Sequence, residues 1–508
     1  MSGWFRQWFH EVGRFDRGVN AAVARLPVTG VDRGVQRLTR TADYGVLWLV
    51  VAALLAGRRG ADRRAAVRAT ASIAGASLTA HLLKGVIGRR RPAAELLPLG
   101  RRLDDRPTSS SFPSGHSASA AAFLTAVALE SPRSAKAVAP LAATVAYSRV
   151  HTGVHWPSDV IAGAVVGAGV AYASRRWWPV RESDEAHATV VREVPSMVDG
   201  KGLVALVNPL SGLPGYDPTD DVAEALPAAT VLRGIPGLEC AQQMEHALAL
   251  RTERVEAVGV AGGDGTVAAI ATVALRHGLP LVVIPTGTLN HFARDVGVYD
   301  LREVVDATDA GEAVAVDVAC VEFDGAGPEG TRYLINTASL GAYIELVRLR
   351  EKWQGRWGKW PAFAAALVVT LRRAEPIRIH LDGRWHEVWF LFVGNGPYHP
   401  HGAVPAYRRQ LDAQLLDVRW LRADIRFSRT RAVLALLLGA IGRSKVYHER
   451  LVSELDVRLA TPQALATDGE VDGQATRLHF KVAGRIPVYR RNENNPRWSD
   501  RARPHHRR

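Results

Sequence analysis

Apolar runs separated by short polar loops dominate the first third of the chain, at about 42–57, 66–87, 117–130, 136–148 and 158–174. Each run is near the lower limit of about 17–20 residues for a helical membrane span. The runs at 42–57, 117–129 and 158–174 are almost free of charged residues, each of which would cost about 2.5–3.5 kcal/mol inside a span. We therefore predict an all-α membrane helical bundle over residues 41–175, with a soluble helical bundle as the alternative.

Residues 1–40 mix aromatic and basic side chains, as in Trp4, Phe5 and Arg6. This mixture is typical of an amphipathic helix at a membrane surface, and we predict no cleavable signal peptide. If the spans alternate, the basic loops at 58–64, 133–136 and 175–181 share one side, which positive-inside reasoning makes cytoplasmic. The opposite loops are also rich in arginine, so charge alone leaves the orientation open.

The pattern changes after a polar linker predicted at 176–200. Short apolar strands at 202–208, 256–261 and 280–285 alternate with helical stretches, which predicts an α/β lobe with a doubly wound sheet over 201–315. Strands then become more frequent, which predicts a β-rich lobe over 316–489, interrupted by amphipathic inserts at 344–373 and 425–441. The basic tail at 490–508 is predicted to be disordered.

Length and charge narrow the functional classes. A chain of 508 residues is too long for a single core, and its net charge of +14 favours anionic partners. Its aromatic residues are not interleaved with lysine and arginine in a nucleic-acid-binding pattern, so we predict no nucleic-acid partner. Cys240 and Cys320 are the only cysteines, which excludes a disulfide framework and a cysteine-based metal site.

Phosphate-binding groups recur in the loops between the apolar runs. Lys84 and Arg91 can neutralise phosphate oxygens, and arginine offers a bidentate fork. Ser114 and Gly115 precede an apolar run at once, so they mark a helix start, where backbone N–H groups bind anions. His116, in that first turn, is placed to protonate a leaving alkoxide.

The stretch at 148–159 supplies a nucleophile. His155 is followed four residues later by Asp159, a carboxylate that can hold the imidazole tautomer and leave the other ring nitrogen free to attack phosphorus. Arg149 adds a third cation beside Lys84 and Arg91. We therefore expect this site to need no metal or other cofactor.

These residues resemble the type 2 phosphatidic acid phosphatase superfamily. Its pattern, K-x6-R-P, then P-S-G-H, then S-R-x5-H-x3-D, is present in order, and the resemblance covers roughly 40–175. It implies a phosphohistidine intermediate on His155 and lipid phosphates as substrates, either phosphatidate-like or polyprenyl. Haloperoxidases that share the pattern hold vanadate in the same pocket, an alternative that the apolar runs disfavour.

A second phosphate-binding pattern follows the strands of the α/β lobe. A glycine loop that follows a strand and opens a helix lets the backbone approach phosphates closely, and turns at the carboxyl ends of parallel strands converge on one crevice. The candidate nucleotide-binding residues are Asn208, Ser211 and Gly212 after the first strand, Gly262, Gly263, Asp264, Gly265 and Thr266 after the second, and Thr286, Gly287, Thr288 and Asn290 after the third.

This set resembles the diacylglycerol kinase catalytic family, which also includes sphingosine, ceramide and bacterial lipid kinases. The resemblance spans about 200–490 and implies ATP, Mg²⁺ and a lipid alcohol as partners. It also implies Asp468 as the base that deprotonates the lipid hydroxyl and Glu470 as a metal ligand. Asp264 is the other candidate metal residue, because the glycine loop lacks the lysine of a Walker loop. A hairpin turn is the alternative interpretation of the pair Asp468-Gly469.

Two positions depart from the family pattern. His291 stands where many members carry aspartate, which puts one acidic contact of the network in doubt. Asp412-Ala413 stands where an Asp-Gly pair is usual, which puts an accessory Mg²⁺ site in doubt. The leading hypothesis is a bifunctional enzyme of the plasma membrane, with the kinase domain cytoplasmic and the phosphatase site extracytoplasmic. The alternatives are a phosphatase whose second domain is a non-catalytic nucleotide- or lipid-binding regulator, and a membrane scaffold with both sites decayed.

Overall fold

A computed structural model describes residues 3–41, 45–58, 60–103, 107–180, 185–212, 215–287, 290–324, 330–357, 359–402, 405 and 407–492. The side chains of Trp4 and Phe5, residue 288 and the tail beyond 492 lie outside this description. The chain divides between Glu182 and Ser183 into two compact units.

The first unit is helical. Its helices are α1 (Gly3–Ala24), α2 (Gly30–Thr41), α3 (Val46–Ala56), α4 (Ala61–Val86), α5 (Gly115–Glu130), α6 (Pro132–His151) and α7 (Pro157–Ala173). The five apolar runs correspond to α3–α7, which confirms their helical prediction. Helix α5 contacts α4, α6 and α7, and Phe123 packs on Trp48 of α3 with ring centroids 4.9 Å apart.

Glycines let α7 approach the start of α5. Side chains added at Gly163 and Gly167 of α7 would collide with the backbone carbonyl oxygens of Ser114 and Ala118. The two helices can lie this close only because neither glycine has a β-carbon. This contact sets the distance between the loop before α5 and the loop before α7.

The N-terminal segment is folded against the other helices. Both α1 and α2 contact α6, and α1 also contacts α7. Asp32 of α2 is buried and bonds Arg101 at 2.6 Å and the Nε2 atom of His151 at 2.7 Å. Packing of this kind was not foreseen for a segment expected at a membrane surface, and its contact with lipid stays a prediction.

Taken one at a time, the described helices do not combine the length and hydropathy of a membrane span. Helices α2 and α3 together meet that criterion by length and composition, as a pair bent by 76°.

The second unit mixes helices and strands. Its strands are β1 (Val190–Val191), β2 (Leu203–Val207), β3 (Thr230–Arg233), β4 (Ala257–Gly262), β5 (Leu281–Pro285), β6 (Ala313–Asp324), β7 (Gly330–Leu334), β8 (Thr337–Gly341), β9 (Ile377–Leu381), β10 (Arg384–Asn395), β11 (Tyr398–His399), β12 (Tyr407–Arg408), β13 (Leu416–Arg422), β14 (Tyr447–Val452), β15 (Glu454–Thr467) and β16 (Glu470–Tyr489). Its helices are α8 (Thr219–Ala225), α9 (Cys240–Ala249), α10 (Asp264–His277), α11 (His291–Val296), α12 (Leu301–Ala310), α13 (Ala342–Trp357), α14 (Lys359–Arg373) and α15 (Ser428–Leu437).

The two predicted lobes share strands. Strands β3, β2, β4 and β5 pair in parallel in that order, as the helix–strand alternation predicted, and β5 meets β16 at Val488. The long strands β6 and β16 pair antiparallel from Asp324 to Ala313, so each contributes to both hydrophobic cores. The predicted boundary at 315–316 therefore lies inside β6.

Part of the predicted linker belongs to the second unit. Strand β1 pairs with β6, and the backbone N–H of His187 donates to the carbonyl of Arg409 at 2.7 Å. The segment from residue 185 onward is therefore packed, which shortens the linker predicted at 176–200.

A helical layer made of α13, α14 and α15 covers one face of the β-rich lobe. Trp389, Phe390 and Phe392 of β10 form a cluster with Leu346 of α13 and Ala432 of α15. The predicted amphipathic inserts at 344–373 and 425–441 correspond to these helices, which confirms them as helical.

We expect Gly167→Ala to destabilise the first unit by about 1–3 kcal/mol, the usual cost of overpacking, because the new methyl group meets the Ala118 carbonyl. The matched control is Gly169→Ala in the same helix, where nothing lies within 4 Å of the added carbon. Thermal unfolding of both variants in one detergent provides the measurement. Equal melting temperatures would contradict the glycine-dependent helix contact.

Candidate active sites

Arg91 reaches the loop that carries His155. Its Nη1 atom donates to the Val154 carbonyl at 2.7 Å and lies 3.4 Å from the Nε2 atom of His155. Its Nε atom donates to the Ser109 carbonyl at 3.0 Å, which holds the guanidinium in place. Lys84, in the last turn of α4, interacts electrostatically with Arg91 and with Arg149 of α6. The three predicted cations therefore form one group around the histidine loop.

His155 is almost fully buried between α6 and α7. The carbonyl of Arg149 accepts hydrogen bonds from the backbone N–H groups of Val154 and His155 at 3.2 Å, which fixes the loop. Burial, together with the positive charges of Arg91 and Arg149, lowers the pKa of His155 to about 4. The imidazole is therefore neutral near pH 7, and a neutral ring keeps the lone pair that a nucleophile needs.

Asp159 lies in the first turn of α7. Its carboxylate accepts from the backbone N–H of Trp156 at 3.0 Å and from the guanidinium of Arg89. Its Oδ2 atom is 3.7 Å from the Nδ1 atom of His155, beyond hydrogen-bonding distance. Control of the imidazole tautomer by Asp159 stays a prediction.

The start of α5 is tied to the start of α7. The Ser114 backbone N–H donates to the Asp159 carbonyl at 3.0 Å, and its hydroxyl caps α5 by accepting from the Ser117 N–H at 3.4 Å. Gly115 and His116 occupy the first turn of α5. The structure thus brings the predicted acid and the predicted nucleophile to the same end of two packed helices.

Three loops of the second unit meet as predicted. The Asn208 side-chain amide donates to the Thr266 hydroxyl at 3.2 Å, and the hydroxyls of Ser211 and Thr286 lie 2.8 Å apart. Side chains added at two glycines would crowd a neighbouring loop: the added carbon at Gly212 would lie 2.8 Å from the Thr286 carbonyl oxygen, and at Gly287 it would lie 2.9 Å from the Gly263 Cα atom. These loops form one glycine-lined crevice at the carboxyl ends of β2, β4 and β5.

Asp264 and Asn290 hold the crevice together. The Asp264 carboxylate accepts from the backbone N–H groups of His291 at 3.2 Å and Phe292 at 3.0 Å, so it caps α11. The Asn290 amide donates to the Gly287 carbonyl at 2.6 Å. Thr288 lies outside the described residues, and its contact with nucleotide stays a prediction.

Asp468 forms the tight turn between β15 and β16 and also faces inward. Its carboxylate accepts three backbone hydrogen bonds, from Ile335 at 2.9 Å and from Asn336 and Thr337 at 2.8 Å. Burial raises the pKa of Asp468 to about 6, and the three amides and Arg408 limit the rise. The hairpin interpretation and the inward-facing carboxylate therefore coexist, because the turn is what presents the side chain.

Arg408 supports the segment that anchors Asp468. It is buried, bonds Asp295 at 3.1 Å and donates to the Ile335 carbonyl at 2.6 Å. The Asn395 amide donates to the same carbonyl at 3.2 Å. These contacts fix the backbone N–H groups that hold the carboxylate.

The carboxylates beside the glycine loop fit a magnesium ion in part. Mg²⁺ is usually held by one or two carboxylates together with substrate phosphates. Glu470 is exposed, and its Oε1 atom lies 2.9 Å from the position of a β-carbon added at Gly265, so it borders the loop. Asp264 already binds two amides, and no cluster of three possible metal ligands occurs among the residues that the structure describes.

Comparison with known proteins assigns the first unit. The PAP2 superfamily model matches residues 65–183. Decaprenylphosphoryl-5-phosphoribose phosphatase of Mycobacterium tuberculosis is 33% identical over 164 residues, which cover 31% of this chain and 89% of that protein. The chain belongs to the PAP2 superfamily. Undecaprenyl-diphosphatase of Sulfolobus acidocaldarius is 33% identical over 136 residues, 26% of this chain and 65% of that protein, slightly under two thirds.

The second unit carries a diacylglycerol kinase catalytic domain, whose model matches residues 202–321. A diacylglycerol kinase of Mycobacterium tuberculosis is 28% identical over 251 residues, which cover 47% of this chain and 79% of that protein. The fusion of the two domain types inferred from the motifs is confirmed.

Two residues of the PAP2 unit were missed by the motif analysis. Arg89 bonds Asp159 and, at 2.6 Å, the buried Asp16 of α1, which also accepts from the backbone N–H of Ser158 at 2.9 Å. Arg89 belongs to the same arginine run as Arg91, but nothing in the sequence distinguishes its role. Asp16 resembles any other acid on an amphipathic helix.

We expect Asp16→Asn to lower the rate of lipid-phosphate hydrolysis by about 10–100-fold, the range seen when an outer positioning group is lost, because Arg89 would lose the charge that holds it beside Asp159. The control is Glu11→Gln on the same helix, whose side chain is more than half exposed. The pH profile of the rate separates positioning from folding: a purely structural role would lower the amount of active enzyme without moving the profile.

Proposed function

We propose that the chain is a bifunctional membrane enzyme, a lipid-phosphate phosphatase and an ATP-dependent lipid kinase in one polypeptide. The supporting observation is the same in each unit. An anion-binding group of cations or glycine-loop amides is combined with one side chain able to do the chemistry, His155 or Asp468.

In the proposed phosphatase reaction, the neutral His155 attacks phosphorus through Nε2, and the bond from phosphorus to the ester oxygen breaks. His116 donates a proton to the leaving oxygen and then takes one from the water that hydrolyses the phosphohistidine. Lys84, Arg91 and Arg149 neutralise the phosphoryl oxygens. The low pKa of His155 supports this order of events, because it keeps the nucleophile unprotonated.

The substrate class of the phosphatase is a membrane-borne phosphate. The relatives of this unit are named for undecaprenyl diphosphate and decaprenylphosphoryl-5-phosphoribose. We infer polyprenyl or phosphatidate-like lipid phosphates for this chain, bound with the headgroup against the three cations.

In the proposed kinase reaction, Asp468 accepts the proton of a lipid hydroxyl, whose oxygen attacks the γ-phosphorus of ATP while the bond to the β-phosphate oxygen breaks. The backbone N–H groups that open α10 would bind the phosphates. Glu470 would hold Mg²⁺, with Asp264 contributing only through a lone pair not used by its two amides. When bound, the ion would neutralise phosphate charge. Diacylglycerol or a related lipid alcohol is the proposed acceptor.

We also propose the plasma membrane as the location, with the kinase cytoplasmic, where ATP is available, and the phosphatase site extracytoplasmic. This arrangement would keep the opposing reactions on separate leaflets, so that lipid must cross between them. The alternative, a second domain that binds nucleotide without turnover, predicts binding of ATP but no transfer to any lipid alcohol.

The two activities should be separable. His155→Ala should reduce phosphate release at least about 10³-fold and leave phosphorylation unchanged. Gly263→Asp should reduce phosphorylation by about 10²-fold and leave hydrolysis unchanged, because it places a carboxylate in the phosphate crevice. Radiolabelled lipid assays of the full chain with Mg²⁺ provide the measurement.

The matched controls are His81→Ala, an exposed histidine on α4, and Gly263→Ala, which adds a methyl group where nothing lies within 4 Å and adds no charge. If either test variant abolishes both activities while its control abolishes neither, the two-site proposal is wrong. Nucleotide binding without phosphorylation in the unmutated chain would support the regulatory alternative.

The kinase rate should depend on the ionisation of Asp468. Because its pKa is raised to about 6, the carboxyl is protonated below that pH and cannot accept a proton, so kcat/KM should fall about tenfold per pH unit below about pH 6. The control is Asp468→Asn, whose residual kinase rate should not show this fall between about pH 7.5 and 5, and phosphate release by the same samples shows that the chain stays folded. A kinase profile that is flat from about pH 7.5 to 5 would contradict Asp468 as the base.

A further inference from the structure

Helix α15 packs on the helical layer by one side only. Ala432 is buried, and Val433 and Leu436 pack against the same cluster as Trp389. Arg429 is fixed at this side, because it donates to the Ala374 carbonyl at 3.0 Å and stacks on the Trp389 ring at 4.4 Å. The helix is therefore anchored to the second unit along one face.

The opposite side of α15 and the two residues that flank the helix expose large apolar side chains. Phe427, Leu434, Leu437 and Leu438 are 65%, 52%, 62% and 65% exposed. At about 100° per residue, Leu437 and Leu438 lie within about 60° of Leu434, whereas Ala432 lies about 160° away. A soluble surface helix normally has charged or polar residues on the face turned from the core. On α15, Thr430 and Arg431 share that face with large exposed apolar side chains.

The charged residues of the segment that carries α15 all have one sign, and the preceding Asp424 is paired with Arg422. The segment 425–445 contains five cations and no aspartate or glutamate: Arg426, Arg429, Arg431, Arg443 and Lys445. All five are exposed, and Arg429 is also bonded to the helical layer as described above. Arg426 lies 4.9 Å over the ring of Phe427, so charge and apolar surface adjoin.

The helical layer that carries α15 also adjoins the proposed base. Tyr343 of α13 packs on Phe392 at 5.4 Å, and Phe392 packs on Tyr398 at 5.7 Å. The Tyr398 hydroxyl donates to the carbonyl of Asn336, whose N–H holds the Asp468 carboxylate. Three packed aromatic rings therefore connect the helical layer to the backbone that holds Asp468. A membrane bound by α15 would lie against this same layer.

We propose that α15 is a membrane-docking helix, which lies in the headgroup region of a bilayer rich in anionic lipid with Phe427, Leu434, Leu437 and Leu438 turned into the acyl chains. Exposed leucine and phenylalanine flanked by arginine and lysine are typical of helices at an anionic lipid surface. Three of the four exposed apolar residues are leucines, a residue type under-represented among those that dominate binding between proteins. The inference concerns where the second unit lies, and it does not rest on lipid phosphorylation.

Depth measurements on single side chains test the docking. Vesicle binding would not isolate α15, because the first unit is itself proposed to be membrane-embedded. In a background with Cys240 and Cys320 replaced by alanine, a nitroxide would be attached to Leu434→Cys or Leu438→Cys in the full chain, reconstituted in nanodiscs with or without anionic phospholipid. Leu250→Cys is the matched control, an exposed leucine (71%) at the end of α9.

In anionic nanodiscs, we expect the ratio of oxygen to nickel-chelate accessibility at positions 434 and 438 to exceed that at position 250 several-fold. In zwitterionic nanodiscs the difference should shrink. Ratios equal to that at position 250 in anionic discs would overturn the proposal. Shielding from both reagents would also overturn it, since it would mean that a protein surface, such as a second copy, covers α15.

Charge reversal tests the electrostatic contribution of arginine to the docking of α15 on anionic lipid. Arg426→Glu combined with Arg431→Glu should abolish the excess accessibility to oxygen at position 434. The control pair, Lys201→Glu with Arg254→Glu, reverses two exposed cations elsewhere in the unit and should leave it unchanged. Recognition of anionic lipid would be contradicted if the excess accessibility to oxygen at position 434 remained after both arginines were reversed. It would also be contradicted if this excess were the same in anionic and zwitterionic nanodiscs.

Discussion

Both candidate sites depend on backbone segments that approach more closely than a β-carbon allows. In the first unit, Gly163 and Gly167 let α7 rest on the backbone of α5, which brings the two histidine-bearing loops to one place. In the second, Gly287 faces the Gly262-Gly263 turn with no room for a side chain. A phosphate bound by backbone N–H groups needs the same freedom from side chains, so one constraint serves packing and chemistry together.

Charge then determines how each glycine-lined space is used. Burying an ion without a partner is unfavourable, and the two units differ in how their buried cations are compensated. In the second unit the buried Arg408 is satisfied by Asp295 and by backbone carbonyls, so it acts on the backbone and not on the substrate. In the first, Lys84, Arg91 and Arg149 repel one another around a histidine that stays neutral. Bound phosphate would relieve that repulsion, which favours an anionic ligand there.

The sequence predicted the individual helices and strands and the residues of short motifs, because these features depend on neighbouring residues in the chain. Continuous apolar runs predicted α3–α7 and the parallel strands, and one-sided apolar patterns predicted both amphipathic inserts, because burial acts on each element separately. It could not predict that Asp16 would bond Arg89, since such a contact depends on the tertiary position of α1. Nor could it show that β6 and β16 would each serve two cores, because strand length alone does not reveal which core a residue joins. Asp468 was predicted from family resemblance, whereas its three amide partners come from a segment more than 130 residues away.

The protonation states of the two proposed active residues explain how opposing reactions could coexist near pH 7. His155 must be neutral to attack, and its pKa near 4 keeps it so across the physiological range. Asp468 must be ionised to accept a proton, and its pKa near 6 leaves most of it ionised at pH 7. Near pH 7, both residues are therefore in the protonation state that their proposed reactions require. A small change of pH in this range would not favour one reaction over the other. In the proposed enzyme, the choice would lie in access, that is, in which lipid reaches which crevice and on which membrane surface. A helix such as α15, which would hold one unit against lipid of a particular charge, is a physical means of controlling that access.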